Sequence, residues 1–203
     1  MGCLLTDGYI VYDHFGEGAY SETENKIKEL LEERRQVLGI QTGVQHETSV
    51  TPTPTTVSTQ SPETYFGALR NALGNGTSNR VGSQTFNEPN NINKNVLYLS
   101  GDWNIQNEYA ESQSDESKII FKYKAKKVFI VASSDSQTSA TVKIDGHSLG
   151  NAAGQDIVTV GYSSRVQVKD AKLYRIIEHS GVEEHTLEIT APEGLKAFTF
   201  TFG

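Results

Sequence analysis

The sequence predicts a mainly β chain: an antiparallel β-sandwich over residues 63–203, preceded by a hairpin-and-helix unit over 1–39 and a linker over 40–62. Three observations carry this expectation. Short β-rich runs with period-two alternation fill the region after residue 63, with almost no helical stretch between them. A capping box at Ser21 opens an amphipathic run. A block of Pro and β-branched polar residues separates the two patterns.

At the N-terminus, Cys3-Leu4-Leu5 and Tyr9-Ile10-Val11-Tyr12 flank Thr6-Asp7-Gly8. Asp-Gly between apolar runs signals a hairpin, because a type I′ turn needs positive φ. The same start fits the N-myristoylation pattern at Gly2, with Cys3 as a second acyl acceptor. A hairpin would hold that glycine in ordered structure, so the hairpin is preferred. No basic segment followed by a long apolar run marks a signal peptide.

In Ser21-Glu22-Thr23-Glu24 the Ser hydroxyl can accept a free first-turn amide while Glu24 reaches back to the Ser21 amide. Ile27, Leu30, Leu31 and Leu38 recur at helical spacing, Arg34 and Arg35 suit the C-terminal dipole, and Gly39 is placed to end the helix. Such a unit cannot bury its own apolar faces. It is expected to dock on a partner surface or form a homo-oligomer through residues 1–39. Thr51-Pro52-Thr53-Pro54, continuing to Pro62, blocks helix and gives an extended linker.

From residue 63 the predicted strands are 118–125, 127–133, 140–145, 165–169, 173–179, 185–191 and 196–202. In the last, Phe198, Phe200 and Phe202 alternate with Thr199 and Thr201; Val142 and Ile144 alternate with Thr141 and Lys143 before the turn Asp145-Gly146. Many short strands without helices favour a sandwich in which each sheet buries one face. A closed barrel is the alternative. Asn87 to Asn95 reads as a long loop.

The 203 residues carry 18 Lys plus Arg against 25 Asp plus Glu, a formal charge of -7, so a nucleic-acid backbone would be repelled. One cysteine excludes a Cys-Xaa-Xaa-Cys pair and multi-cysteine zinc sites. No apolar run approaches the roughly 20 residues that span a bilayer. His14, His46, His147, His179 and His185 show no recognised zinc-ligand spacing and read as exposed turn or strand residues, so no metal and no cofactor is expected. Nucleophile elbows and phosphate loops are absent from the sequence. The acid pairs Asp115-Glu116 and Glu183-Glu184 read as solvated turns, and Asp102 and Asp115 lack EF-hand spacing. Aromatic residues beside polar ones remain, an arrangement that can stack on a sugar and bond its hydroxyls. Candidate glycan contacts are Tyr65, Trp103 and Tyr174 for stacking, Arg70 for hydroxyls, and Glu63 and Asp145 as acceptors. Trp103, the single tryptophan, is read as core before platform.

Asp7-Gly8-Tyr9-Ile10-Val11-Tyr12 and His14 to Glu24, followed by an amphipathic helix, resemble the closing hairpin and last helix of a redoxin domain of the DipZ type. Glu63-Thr64-Tyr65-Phe66-Gly67, Leu99-Ser100-Gly101-Asp102-Trp103, Lys127 to Val131, Val142 to Gly146, Leu173 to Ile177 and the ending Ala197 to Gly203 resemble the domain that follows the redoxin in that family. The resemblance implies a jelly-roll β-sandwich similar to carbohydrate-binding modules. It also implies an association with thiol-disulfide exchange outside the cytoplasmic membrane. A chain that starts at Met1 without a signal would instead be cytoplasmic. The redoxin's dithiol motif has no counterpart here, so the expectation is a non-enzymatic accessory module with a carbohydrate or protein partner. A structural or oligomerisation domain, or the C-terminal fragment of a DipZ-like oxidoreductase, is the alternative.

Overall fold

The computed structural model describes residues 2–4, 10–13, 20–39 and 60–203, and the chain divides into two units, Met1–Thr55 and Thr56–Gly203. In the first, β1 (Gly2–Leu4) pairs antiparallel with β2 (Ile10–Asp13). The expected turn at Thr6-Asp7-Gly8, the Ser21 cap side chain, His14, His46 and most of the linker lie outside the described residues. Helix α1 runs over Tyr20–Leu38 and ends at Gly39, whose φ of +63° is the left-handed conformation that a helix-terminating glycine supplies without steric cost. Pairs at helical spacing, Lys28–Glu24 at 2.7 Å and Lys26–Glu29 at 3.0 Å, line its polar surface. Ile27, Leu31, Val37 and Leu38 are exposed.

The second unit is mainly β, as period-two alternation requires. It contains β3 (Thr64–Tyr65), β4 (Gly82–Phe86), β5 (Leu97–Ile105), β6 (Ala110–Ser112), β7 (Ser117–Ser133), β8 (Thr138–Ile144), β9 (His147–Ser148), β10 (Ile157–Val160), β11 (Ser163–Val168), β12 (Lys172–Ala191) and β13 (Lys196–Phe202). A short 3-10 turn, Gly150–Ala152, follows β9. The strands join one antiparallel network in the order β10-β11-β8-β12-β7-β13-β6-β5-β4, with β3 on β13 and β9 on β8. β5 also pairs with β7, so β7, β13, β6 and β5 close a ring of hydrogen bonds.

The long strands differ from expectation. Runs 118–125 and 127–133 form a single strand, β7, and runs 173–179 and 185–191 form a single strand, β12. Lys126, the charged residue between the two predicted runs, reads as a turn but is an exposed side chain of a continuous strand. Burial switches parity there: Phe121, Tyr123 and Ala125 are buried, then Val128, Ile130 and Ala132. The Phe198–Phe200–Phe202 stripe is likewise broken. Ala197 pairs with Ala132 and Thr199 with Val131, leaving Phe198 as an extra residue in the ladder. Phe200 packs edge-on against Phe66 at 5.1 Å, whereas Phe198 meets Tyr109 at 5.2 Å.

The turn at Asp145-Gly146 forms as predicted. Both residues have positive φ, 49° and 78°, and β8 and β9 pair across it. The core is one cluster in which Trp103, Tyr123, Phe66, Phe121 and Phe200 are fully buried.

Candidate functional site

Two groups of polar side chains stand out on the β domain. The first gathers around an irregularity in β12. In its ladder with β7, Glu178 pairs with Lys127 and Glu183 with Ala125, so His179, Ser180, Gly181 and Val182 stand opposite Lys126 alone. The surplus backbone bulges, and bulges re-aim side chains. His179 turns inward to 8% exposure, a correction to its expected exposed position. His185 lies directly opposite Tyr123, and Glu183 shares its face because alternate residues of a strand do.

These groups lie close together. The Tyr123 hydroxyl and His179 Nε2 are 2.7 Å apart, and His179 Nδ1 is 3.5 Å from Glu183 Oε2. That same carboxylate oxygen is 3.1 Å from His185 Nε2. On the other side, His185 Nδ1 lies 2.7 Å from Asp145 Oδ2. The imidazole rings stack 4.8 Å apart. Asp145 reaches β12 because its turn backbone docks there: its amide donates to the Thr186 carbonyl and its Oδ1 accepts the Thr186 amide, both at 2.8 Å.

Burial acts to lower the pKa of His185, but its bonds to Asp145 and Glu183 outweigh it and hold the pKa above the ordinary value. For His179 burial wins and the pKa is lowered, the charge of Glu183 compensating only in part. Burial pushes the Tyr123 phenol up, helped by the charges of Asp145 and Glu183, so it stays a neutral hydroxyl. Burial would raise Asp145, yet the Thr186 amide and His185 hold it low; Glu183 is lowered first by its bond to His185. Glu183 and Glu184, expected in a solvated turn, lie within β12 and have different partners. Glu184 belongs to Lys94 and Lys122, at 3.0 and 3.3 Å.

The second group brings three sequence candidates together. Tyr65 on β3 donates its hydroxyl to Glu63 at 2.6 Å, and the Arg70 guanidinium lies 3.9 Å over its ring. The Glu63 bond is the leading reason that the Tyr65 pKa is raised. With Gly67, Asn107 and Phe198 they line an open groove of about 480 Å³. Gly67 must lack a side chain, since a Cβ there would lie 2.2 Å from the Glu108 carbonyl carbon.

The remaining candidates lie elsewhere. Trp103 is 0% exposed and donates to the Ser100 carbonyl at 2.9 Å; Tyr174 is 2% exposed, its hydroxyl bonded to Asp170 and its ring covered by Lys172 at 4.6 Å. Neither offers a free ring face to a sugar. Asp145 belongs to the histidine cluster. Asp102 bonds Thr85 and Asp115 bonds the Glu193 amide, separately.

The family described as "thioredoxin like C-terminal domain" matches residues 61–203, the described β domain almost residue for residue. The chain belongs to this family. It is 26% identical over 198 residues to Protein DipZ of Mycobacterium bovis and, at the same identity, to Protein DipZ of Mycobacterium tuberculosis. The similarity covers 97% of the chain and 26% of each relative, so the chain spans about a quarter of the length of the curated relatives it matches. Family membership and kinship with DipZ-type proteins therefore agree.

Proposed function

We propose that this chain works as the C-terminal part of a DipZ-like thiol-disulfide protein, with residues 63–203 as a non-catalytic accessory module. The observation that carries this is the similarity to DipZ over 97% of the chain, which takes in the N-terminal unit as well as the β domain. In this reading residues 1–39 are the tail of a redoxin, residues 40–62 a linker, and the β domain a jelly-roll sandwich whose layers share β7 and β12. The exposure of Ile27, Leu31 and Leu38 on α1 supports it, because an apolar helix face calls for a covering surface such as the rest of a redoxin. Thiol-disulfide turnover needs an attacking and a resolving thiol, and this sequence holds one cysteine.

The test is insulin reduction by the purified chain in the presence of dithiothreitol. The expected rate equals the background and is unchanged by Cys3→Ser. A rate above background that disappears in Cys3→Ser would overturn the assignment.

In this reading the module's binding role falls to the groove. Glu63, Tyr65 and Arg70 present an acceptor, a ring and a cation around one opening, which suits a small polar ligand such as a glycan. Saturation-transfer NMR with a panel of oligosaccharides should give sugar signals with the parent chain and none with Arg70→Ala or Tyr65→Ala. Signals that persist with both variants would remove the groove from consideration.

A further inference from the structure

The histidine cluster carries an inference independent of the redoxin assignment. Three potential ligand atoms, His179 Nδ1, Glu183 Oε2 and His185 Nε2, lie within 4.8 Å of one another, and two of the pairs are 3.5 and 3.1 Å apart. Around a tetrahedral zinc ion with bonds of about 2.0–2.2 Å, ligand atoms are about 3.4 Å apart. The two pairs that share Glu183 match that spacing, and the two histidines lie within 4.8 Å of each other.

The far side of each ring is also arranged as a metal ligand's would be. A ligating histidine ordinarily gives its second ring nitrogen to a carboxylate or other acceptor, which fixes its orientation. His185 has the Asp145 carboxylate at 2.7 Å for this, and His179 has the Tyr123 hydroxyl at 2.7 Å. Asp145 and Glu183 form their ion pairs with these histidines, so with neutral imidazoles the two carboxylates present the charge that a dication neutralises. Access is open on the Glu183 side, whose side chain is 43% exposed, while His179 is sealed beneath at 5%. A fourth position therefore faces solvent.

We propose that His179 Nδ1, Glu183 and His185 Nε2 form a binding site for a divalent transition-metal ion of the zinc class, with Asp145 and Tyr123 as the positioning residues behind the two imidazoles and water completing the coordination. Two imidazoles with one carboxylate is a donor set that suits zinc and its neighbours and is poor for magnesium or calcium, which favour oxygen ligands. The bulge in β12 is what makes the site: without the surplus residues His179 could not turn back towards His185.

The experiment is titration of the purified, tag-free full chain with zinc chloride after chelator treatment, read by calorimetry and by thermal melting. The expected result is one ion per chain in the micromolar range or tighter, and a higher melting temperature with zinc but not with magnesium. His185→Ala and Glu183→Gln should each weaken binding at least about 100-fold, and Asp145→Asn about 10–100-fold, the effect typical of the group behind a ligating histidine. His147→Ala and Cys3→Ser, changes outside the ligand set, should bind as the parent does. Circular dichroism confirms that each variant is folded, and Glu183→Gln keeps the shape of the cluster. Absence of one-to-one binding at about 100 µM zinc, an order-of-magnitude ceiling for a built site, would overturn the proposal, as would binding unaffected by both His185→Ala and Glu183→Gln.

Discussion

The groove at Tyr65 and the cluster at His179 are built on opposite plans. In the groove the fit is in the backbone: Gly67 passes where a Cβ would strike Glu108, and the Ala68 and Leu69 amides donate to Gln106 and Asn107 at 2.8 and 3.0 Å. Its polar side chains are exposed or half-buried and bond mainly one another. In the cluster the side chains hold the structure, through a buried histidine, a buried phenol and a turn aspartate joining three strands. A groove whose side chains do little for stability leaves them free for a ligand, whereas a cluster whose side chains bridge strands ties anything bound there to the stability of the domain.

Substitutions can break that contrast. Gly67→Ala should cost most, about 3 kcal/mol in chemical denaturation, because rigid backbone must yield. A loss under about 1 kcal/mol would mean the groove wall is soft. Tyr123→Phe should cost about 1–3 kcal/mol, since it strips a hydrogen-bond partner from a buried histidine. Asp145→Asn should cost about 1 kcal/mol: asparagine tolerates the positive φ of the turn but lacks the charge that faces His185. Arg70→Ala, removing an exposed side chain, should stay within about 0.5 kcal/mol. Equal losses in Arg70→Ala and Tyr123→Phe would erase the distinction between the two regions.

The same contrast explains what the sequence makes visible. Glu63, Tyr65 and Arg70 lie within one short segment, so their meeting is local and residue type suffices to suggest it. Tyr123, Asp145, His179 and His185 meet only through strand register and a bulge, for which the sequence carries no spacing rule. A partial signal is present: Glu183 and His185, two apart in a strand, must share a face, and Asp145-Gly146 is a turn that brings an acid to a sheet end. Tyr174 misleads as a candidate platform, being 2% exposed, whereas Trp103, read as core before platform, is core. Polar neighbours such as Asp102 and Asn104 sit on the other face of β5, so adjacency in sequence puts them beside a ring that alternation buries. Mainly β structure is legible from alternation, while the continuity of β7 is hidden by Lys126 and that of β12 by Ser180-Gly181 and the acid pair after it, which resemble turns but lie within strands.

The interruption opposite Lys126, the larger of two irregularities in the β12–β7 ladder (the other lies between Arg175 and Ile177), separates the pairings of 172–178 from those of 183–191. Each can fray without unzipping the other, so amide hydrogen exchange should show two separate protection levels along β12. An ion or proton captured at the junction would act as a clasp across that seam and bring the two levels together.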